Sequence, residues 1–339
     1  YYTAICGYDD VIDHLELEIS TATDGQSANL LKLNKKVLDA RNIAKKTLLH
    51  LASARQFEKV VKFLVNQGAN INCSDTDGAT PLYLACEEGY HKIVEFLVGA
   101  GAGRTIDVNP PFVASEFGSM DVVECLIALG ADPNPPRDNC ALPLDVVCEF
   151  GQKEVTEFLV AADSEINRKK LNGASALYIA SHFGYSDVVE RLLGLGANPN
   201  QTRDNGAIPL HGACEFGHYE ITEILIASGA EIEHERVDGI TPLFTASQFG
   251  HTKIVERLLA LNADPNHPRD TGATPLHVAC EFGHVEIVEL LVASGAEINH
   301  NSTEGVTPLF VACKVGHIKV VERLLSLGAN INQPRNTGA

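Results

Sequence analysis

Cysteine, glutamate and histidine fall within five residues in the stretch CEFGH, at 214–218 and again at 280–284. Those side chains can bind a metal, and a cysteine near a histidine can serve as nucleophile and base. Neither chemistry is completed here. A closed zinc site needs four convergent ligands, and Cys-x-x-x-His brings two. The related places hold Cys148 with Gln152 and Ser247 with His251, each short of one candidate ligand. Nothing pairs a base with a reactive cysteine as a catalytic cleft requires. The expectation is a chain with no metal, no cofactor and no catalytic residue, and one that is not an enzyme.

Other residue types recur in rows that point to binding. Phe117, Phe150, Phe183, Phe216, Phe249 and Phe282 stand 33 residues apart. Each precedes a glycine. Glu149, Glu215 and Glu281 come just before alternate phenylalanines, while His182 and Gln248 precede others. Arg137, Arg203, Arg269 and Arg335 recur in the same two-unit phase, in PPRDNCA, QTRDNGA, HPRDTGA and QPRNTGA. Rigid aromatics in a row suit anchoring of an extended peptide or a helix. Packing of each ring against the next unit is the other reading. An arginine row can clamp carboxylates or phosphates by bidentate bonds, unless Asp138, Asp204 and Asp270 beside it already satisfy it. The doubled period itself reads either as duplication of a two-unit block or as rows of charge displayed for a partner.

The elements that carry these rows repeat every 33 residues. Gly118, Gly151, Gly184, Gly217, Gly250, Gly283 and Gly316 hold that spacing without exception, and Gly89 precedes them by 29. Thr-Pro-Leu or a variant comes before most of them, as at Thr274-Pro275-Leu276. Thr274 can cap a helix that starts at Pro275, where no N–H is needed. Gly283 ends that helix in a left-handed conformation. A second helix follows, with Ile287, Leu290 and Leu291 at helical spacing, and Gly295 closes it. Small residues at one place in each first helix (Ala52, Ala85, Ala114, Ala180, Ala213, Ala246, Ala279 and Ala312, with Val147 the exception) allow close approach of neighbouring helices. Neither helix buries its apolar face alone, so the units must stack.

This unit, with TPLH at Thr274–His277 and the Gly-His that follows, resembles the ankyrin repeat. The resemblance implies an all-α solenoid of helix pairs with β-hairpin-like fingers. It implies that the Gly-His histidine holds adjacent units together and that the phenylalanines lie on a concave face. Asn299, at a finger base, resembles asparagines hydroxylated in related repeats. The expected organisation is a degenerate N-terminal repeat with a basic insertion at 1–46, nine repeats over 47–331, and the finger of a truncated repeat at 332–339. The third repeat is expected to have a shortened finger and altered stacking near 104–111, where VNPPFVASEFG lacks TPLH.

Composition narrows the function. Net charge is −18, from 44 acidic and 26 basic residues. That balance opposes nucleic-acid binding, which needs a basic stripe. Residues 32–62 are the exception, with nine Lys/Arg against Asp39 and Glu58. No apolar run approaches the ~20 residues that span a bilayer. Nine cysteines, scattered without a CxxC pair, suit a reduced intracellular compartment, cytoplasmic by preference. A start at Tyr1 and an end at NTGA suggest an excerpt of a longer chain. The leading expectation is a non-catalytic scaffold with a protein or peptide partner, no nucleic acid, no membrane insertion and no small-molecule substrate. The alternative is a regulatory or targeting arm of a larger enzyme, channel or effector, and a mechanical spacer stays open.

Overall fold

A computed structural model describes residues 8–21, 38–103, 109–136 and 140–333. Its described residues form helices and turns without strands. The chain is an all-α repeat solenoid built in two compact units, residues 1–164 and 165–339. In the first unit, α1 (Tyr8–Thr21) precedes four helix pairs. These are α2 (Leu48–Ala54) with α3 (Glu58–Asn66), and α4 (Pro81–Glu87) with α5 (His91–Gly99). Then come α6 (Pro110–Glu116) with α7 (Met120–Ala128), and α8 (Pro143–Glu149) with α9 (Lys153–Ala161). The second unit has five pairs, beginning with α10 (Ala176–Phe183) and α11 (Ser186–Gly194). Next are α12 (Pro209–Phe216) with α13 (Tyr219–Ala227), and α14 (Pro242–Phe249) with α15 (Thr252–Ala260). The last are α16 (Pro275–Phe282) with α17 (Val285–Ala293), and α18 (Pro308–Val315) with α19 (Ile318–Ser326).

Local chemistry sets where these short helices start and stop. Thr80, Ser175, Thr241 and Thr307 each accept the backbone N–H three residues on, filling a donor that the first turn leaves open. Proline follows at the first helical position of α4, α14 and α18. At the other end Gly217 takes φ 76°, and a Cβ there would lie 2.5 Å from His251 Cε1. Glycine is thus required twice over, by the left-handed turn and by the neighbouring imidazole.

Stacking supplies the core. Ala52, Ala85, Ala114, Ala180, Ala213, Ala246, Ala279 and Ala312 are fully buried, and Val147 is accommodated in the same state. In the second helices the buried positions differ from simple i, i+3, i+4 spacing. Ile287, Val288 and Leu291 are buried, whereas Leu290 is only half-buried. Ile254, Val255 and Leu258 repeat that pattern. Two adjacent positions are covered because each second helix packs against its own first helix and also against second helices beside it. In the second unit Phe244 packs with Ile240 and Val278, and its complete burial contributes about 2–3 kcal/mol.

The fingers between pairs are tight turns. Arg236 N–H donates to Ile240 O at 2.9 Å and Gly239 N–H to Arg236 O at 2.9 Å, closing a hairpin-like loop. Single backbone bonds join successive fingers, from Val237 N to Asn205 O at 2.9 Å and from Thr303 N to Thr271 O at 3.0 Å. Side chains add to these, as Thr303 Oγ1 donates to Thr271 O at 2.8 Å, but one backbone bond at each does not make a ladder. In the first unit α1 packs on α2 and α3 through buried Ile12 and Leu15. Several expectations lie on residues outside those described: most of the basic insertion (22–37), the shortened finger (104–108), Arg137, Arg335 and the end of the final finger (334–339).

Candidate functional site

The histidine of CEFGH is used between units. His218 Nε2 lies 3.1 Å from His182 O, His251 Nε2 3.0 Å from Glu215 O, His284 Nε2 3.1 Å from Gln248 O, and His317 Nε2 2.9 Å from Glu281 O. A carbonyl only accepts, so each Nε2 carries the proton and donates. Cys214 and Cys280 are fully buried free thiols, and burial pushes both well above the usual thiol range. Among the described residues no group of three His, Cys, Asp or Glu side chains converges to hold a metal.

A second histidine set lies at the third helical position. His211 Nδ1 accepts Ile208 N–H at 3.3 Å, and its Nε2 donates to Ile240 O at 3.0 Å in the next unit. His277 does the same with Thr274 N–H at 3.1 Å and Val306 O at 2.9 Å. In the first unit His50 accepts Thr47 N–H at 3.1 Å and donates to Ala79 O at 3.1 Å. Asp145 fills this place once, its carboxylate accepting Leu142 N–H at 2.8 Å. Burial lowers the pKa of His211 and His277 to about 4, outweighing the raising effect of their bonds to the Ile240 and Val306 carbonyls.

The alternate units carry an aromatic ring instead of this histidine, and there the finger arginines are spent. Arg203 Cζ lies 4.6 Å from the Tyr178 ring centroid, and its Nη1 donates to Tyr178 Oη at 3.1 Å. Arg269 Cζ lies 5.6 Å from the Phe244 centroid, and its Nε donates to Thr271 Oγ1 at 2.8 Å. The sequence left these arginines either displayed for a partner or satisfied by the aspartates beside them; here each guanidinium rests on an aromatic ring and stays part-exposed. A guanidinium stacks favourably on an aromatic face, and the ring of the preceding unit is the surface within reach. The second helices alternate in step: Arg257 Nε pairs with Glu223 at 2.7 Å and Arg323 Nε with Glu289 at 2.8 Å. The two-unit period therefore describes two kinds of junction. Beyond the Gly-His bond, which is made at both kinds, one is bridged by the third-position histidine and the other by arginine on an aromatic ring.

The phenylalanines have another setting. Phe117 and Phe150 in the first unit, and Phe183, Phe216, Phe249 and Phe282 in the second, remain 46–53% exposed. They end the first helices, and Val315, also 50% exposed, continues the series on α18. Phe216 leans on the preceding unit, its ring 4.2 Å from that of His182, which in turn lies 5.0 Å from Phe183. Glu149 and Glu215 beside the rings are half-buried and Glu281 is exposed. Sequence reasoning missed Tyr178 and Phe244 as receivers of arginine. The signal was present in the constant separation of 25 residues from Tyr178 to Arg203, repeated from Phe244 to Arg269.

At the finger bases Asn200 Nδ2 donates to Gly229 O at 3.0 Å while its Oδ1 accepts Glu231 N–H at 2.9 Å. Asn266 repeats both bonds with Gly295 and Glu297. Asn299 accepts Asn330 N–H at 2.8 Å. These asparagines are structural ties between units.

A family model described as ankyrin repeats in three copies matches residues 19–111, 111–203, 177–269, 210–302 and 261–335. Tyrosine-protein kinase Shark of Drosophila melanogaster is 34% identical over 122 residues, which are 34% of this chain and 13% of that protein. The chain thus matches only a small part of that relative's length. Among the described residues no helix is long and apolar enough to cross a membrane.

Proposed function

The chain belongs to the ankyrin-repeat family, a family of protein-interaction modules, and from that premise we propose that it is a non-catalytic scaffold for an intracellular protein partner. The observation that carries this reading is the row of phenylalanines left about half exposed at a fixed period. Large apolar side chains held in a regular row at a surface serve association better than stability. In each unit the docking edge consists of the ends of the first helices: Phe117 and Phe150 with Glu149 in one, and Phe183, Phe216, Phe249 and Phe282 with Glu215 and Glu281 in the other. Arg203 and Arg269, part-exposed beside their rings in the fingers, belong to the proposed partner surface as a second, carboxylate-binding row. Free thiols at the eight described cysteines suit a reducing compartment.

The test replaces Phe183, Phe216 and Phe249 together with serine and compares affinity capture from lysate with wild type. A partner is expected to be lost with the variant while helical content and melting stay nearly intact. A fall of many degrees in melting temperature, or an unchanged set of captured proteins, overturns the reading. A second reading, a regulatory or targeting arm of a larger protein, is favoured by the likeness to part of a tyrosine kinase. It is tested by sequencing the full transcript for a catalytic or membrane segment.

A further inference from the structure

The first helices of the second unit carry a one-sided charge. Helices α10, α12, α14 and α16 contain no lysine or arginine, and their carboxylates are Glu215 and Glu281, each next to a half-exposed phenylalanine. Lysine and arginine in this unit's helices lie on the second helices, as Arg191, Lys253 and Arg257, until Lys314 appears on α18. The finger arginines are engaged elsewhere: Arg203 and Arg269 lie on Tyr178 and Phe244, Arg236 pairs with Asp238 at 3.1 Å and Arg168 with Glu165 at 3.3 Å. Lys169 and Lys170 belong to the unit's first finger, before Phe183. The result is an apolar row edged by negative charge at every second step.

We propose that the occupant of this row is a basic amphipathic helix, a class that rests on the interaction reading above and narrows it. Stacked helix pairs place successive phenylalanines ~10 Å apart. Seven residues of a helix rise about 10.5 Å, so apolar side chains in a heptad phase fall in register with Phe183, Phe216, Phe249 and Phe282. A lysine or arginine beside alternate apolar positions then meets Glu215 and Glu281, ~20 Å apart. The apolar anchors supply affinity, and the charges set orientation and rate of encounter.

The test uses the purified chain and a fluorescein-labelled peptide of three heptads, leucine at one heptad position and lysine beside it, followed by anisotropy. A second peptide has glutamate in place of every lysine. Phe216→Ser with Phe249→Ser, and separately Glu215→Lys with Glu281→Lys, are each expected to weaken the lysine peptide at least tenfold. Glu220→Lys with Glu286→Lys removes the same charge from exposed positions of the second helices and is expected to change affinity less than twofold. Equal weakening by that control would mean general attraction to an acidic chain and overturns the proposal. If the glutamate peptide binds instead, and loses binding with the phenylalanine pair, the docking edge stands and the basic class falls. If the lysine peptide binds regardless of the phenylalanine pair, or neither peptide binds, the proposal falls. The serine-variant capture then judges the edge by itself.

Discussion

Arg203 reaches back 25 residues to lay its guanidinium over Tyr178, 4.6 Å from the ring centroid, and bonds the phenol oxygen at 3.1 Å. One contact thus joins a finger to the first helix of the unit before it, and Arg269 over Phe244 repeats it without the hydroxyl. A double-mutant cycle of Arg203→Ala and Tyr178→Ala, read by urea unfolding, is expected to give a coupling of about 1 kcal/mol. Tyr178→Phe should retain part of it. Additive single effects would show that the stacking contributes nothing to stability.

The histidine junctions make stability depend on pH. An unfolded histidine takes its proton near pH 6.5, whereas folded His211 and His277 do so only near pH 4. Between those values the unfolded state binds more protons, so stability present above pH 6.5 declines as pH falls toward 4. Each ring is expected to account for up to about 3 kcal/mol of that decline. Urea midpoints of wild type and His211→Gln with His277→Gln, taken between pH 7 and 4, provide the measurement. The variant should show a shallower fall, and parallel curves would exclude these rings as the cause.

Glycine substitution separates backbone conformation from close approach. Gly229 has φ 90° with open space around a would-be Cβ, so Gly229→Ala should cost about 1 kcal/mol from the backbone alone. Gly217 has φ 76° and His251 Cε1 at 2.5 Å, so Gly217→Ala should cost about 1–3 kcal/mol more. Thermal or chemical denaturation of the pair decides it. Equal costs would mean that His251 moves aside freely.

Thiol labelling reports on the stack. Cys313 is exposed, while Cys214 and Cys280 are buried with their thiols held protonated by burial. Maleimide is expected to label Cys313 rapidly, and Cys214 and Cys280 only at the rate of opening or unfolding. Mass spectrometry of peptides over time makes the comparison. Native-rate labelling of Cys214 would contradict a closed junction at α12.

The sequence alone determined the repeat, the helix pairs and the turns between them, because those features are written in local physics. Thr241 caps within its own first turn, and Gly217 adopts a left-handed conformation set by its own backbone. The same locality made the bridging role of His218 readable through the family resemblance. The structure decided what depended on neighbours across units. Leu290 and Val288 exchange burial because the packed face is wider than one helix's own stripe. Arg203 rests on Tyr178 because that ring lies within reach one unit back, a partner that its own finger, with Asp204 beside it, does not reveal. The phenylalanines stay half exposed because each ends its helix at the edge of the stack, where a neighbour covers only one side. Periodicity placed Phe216 in a row; tertiary packing left that row open.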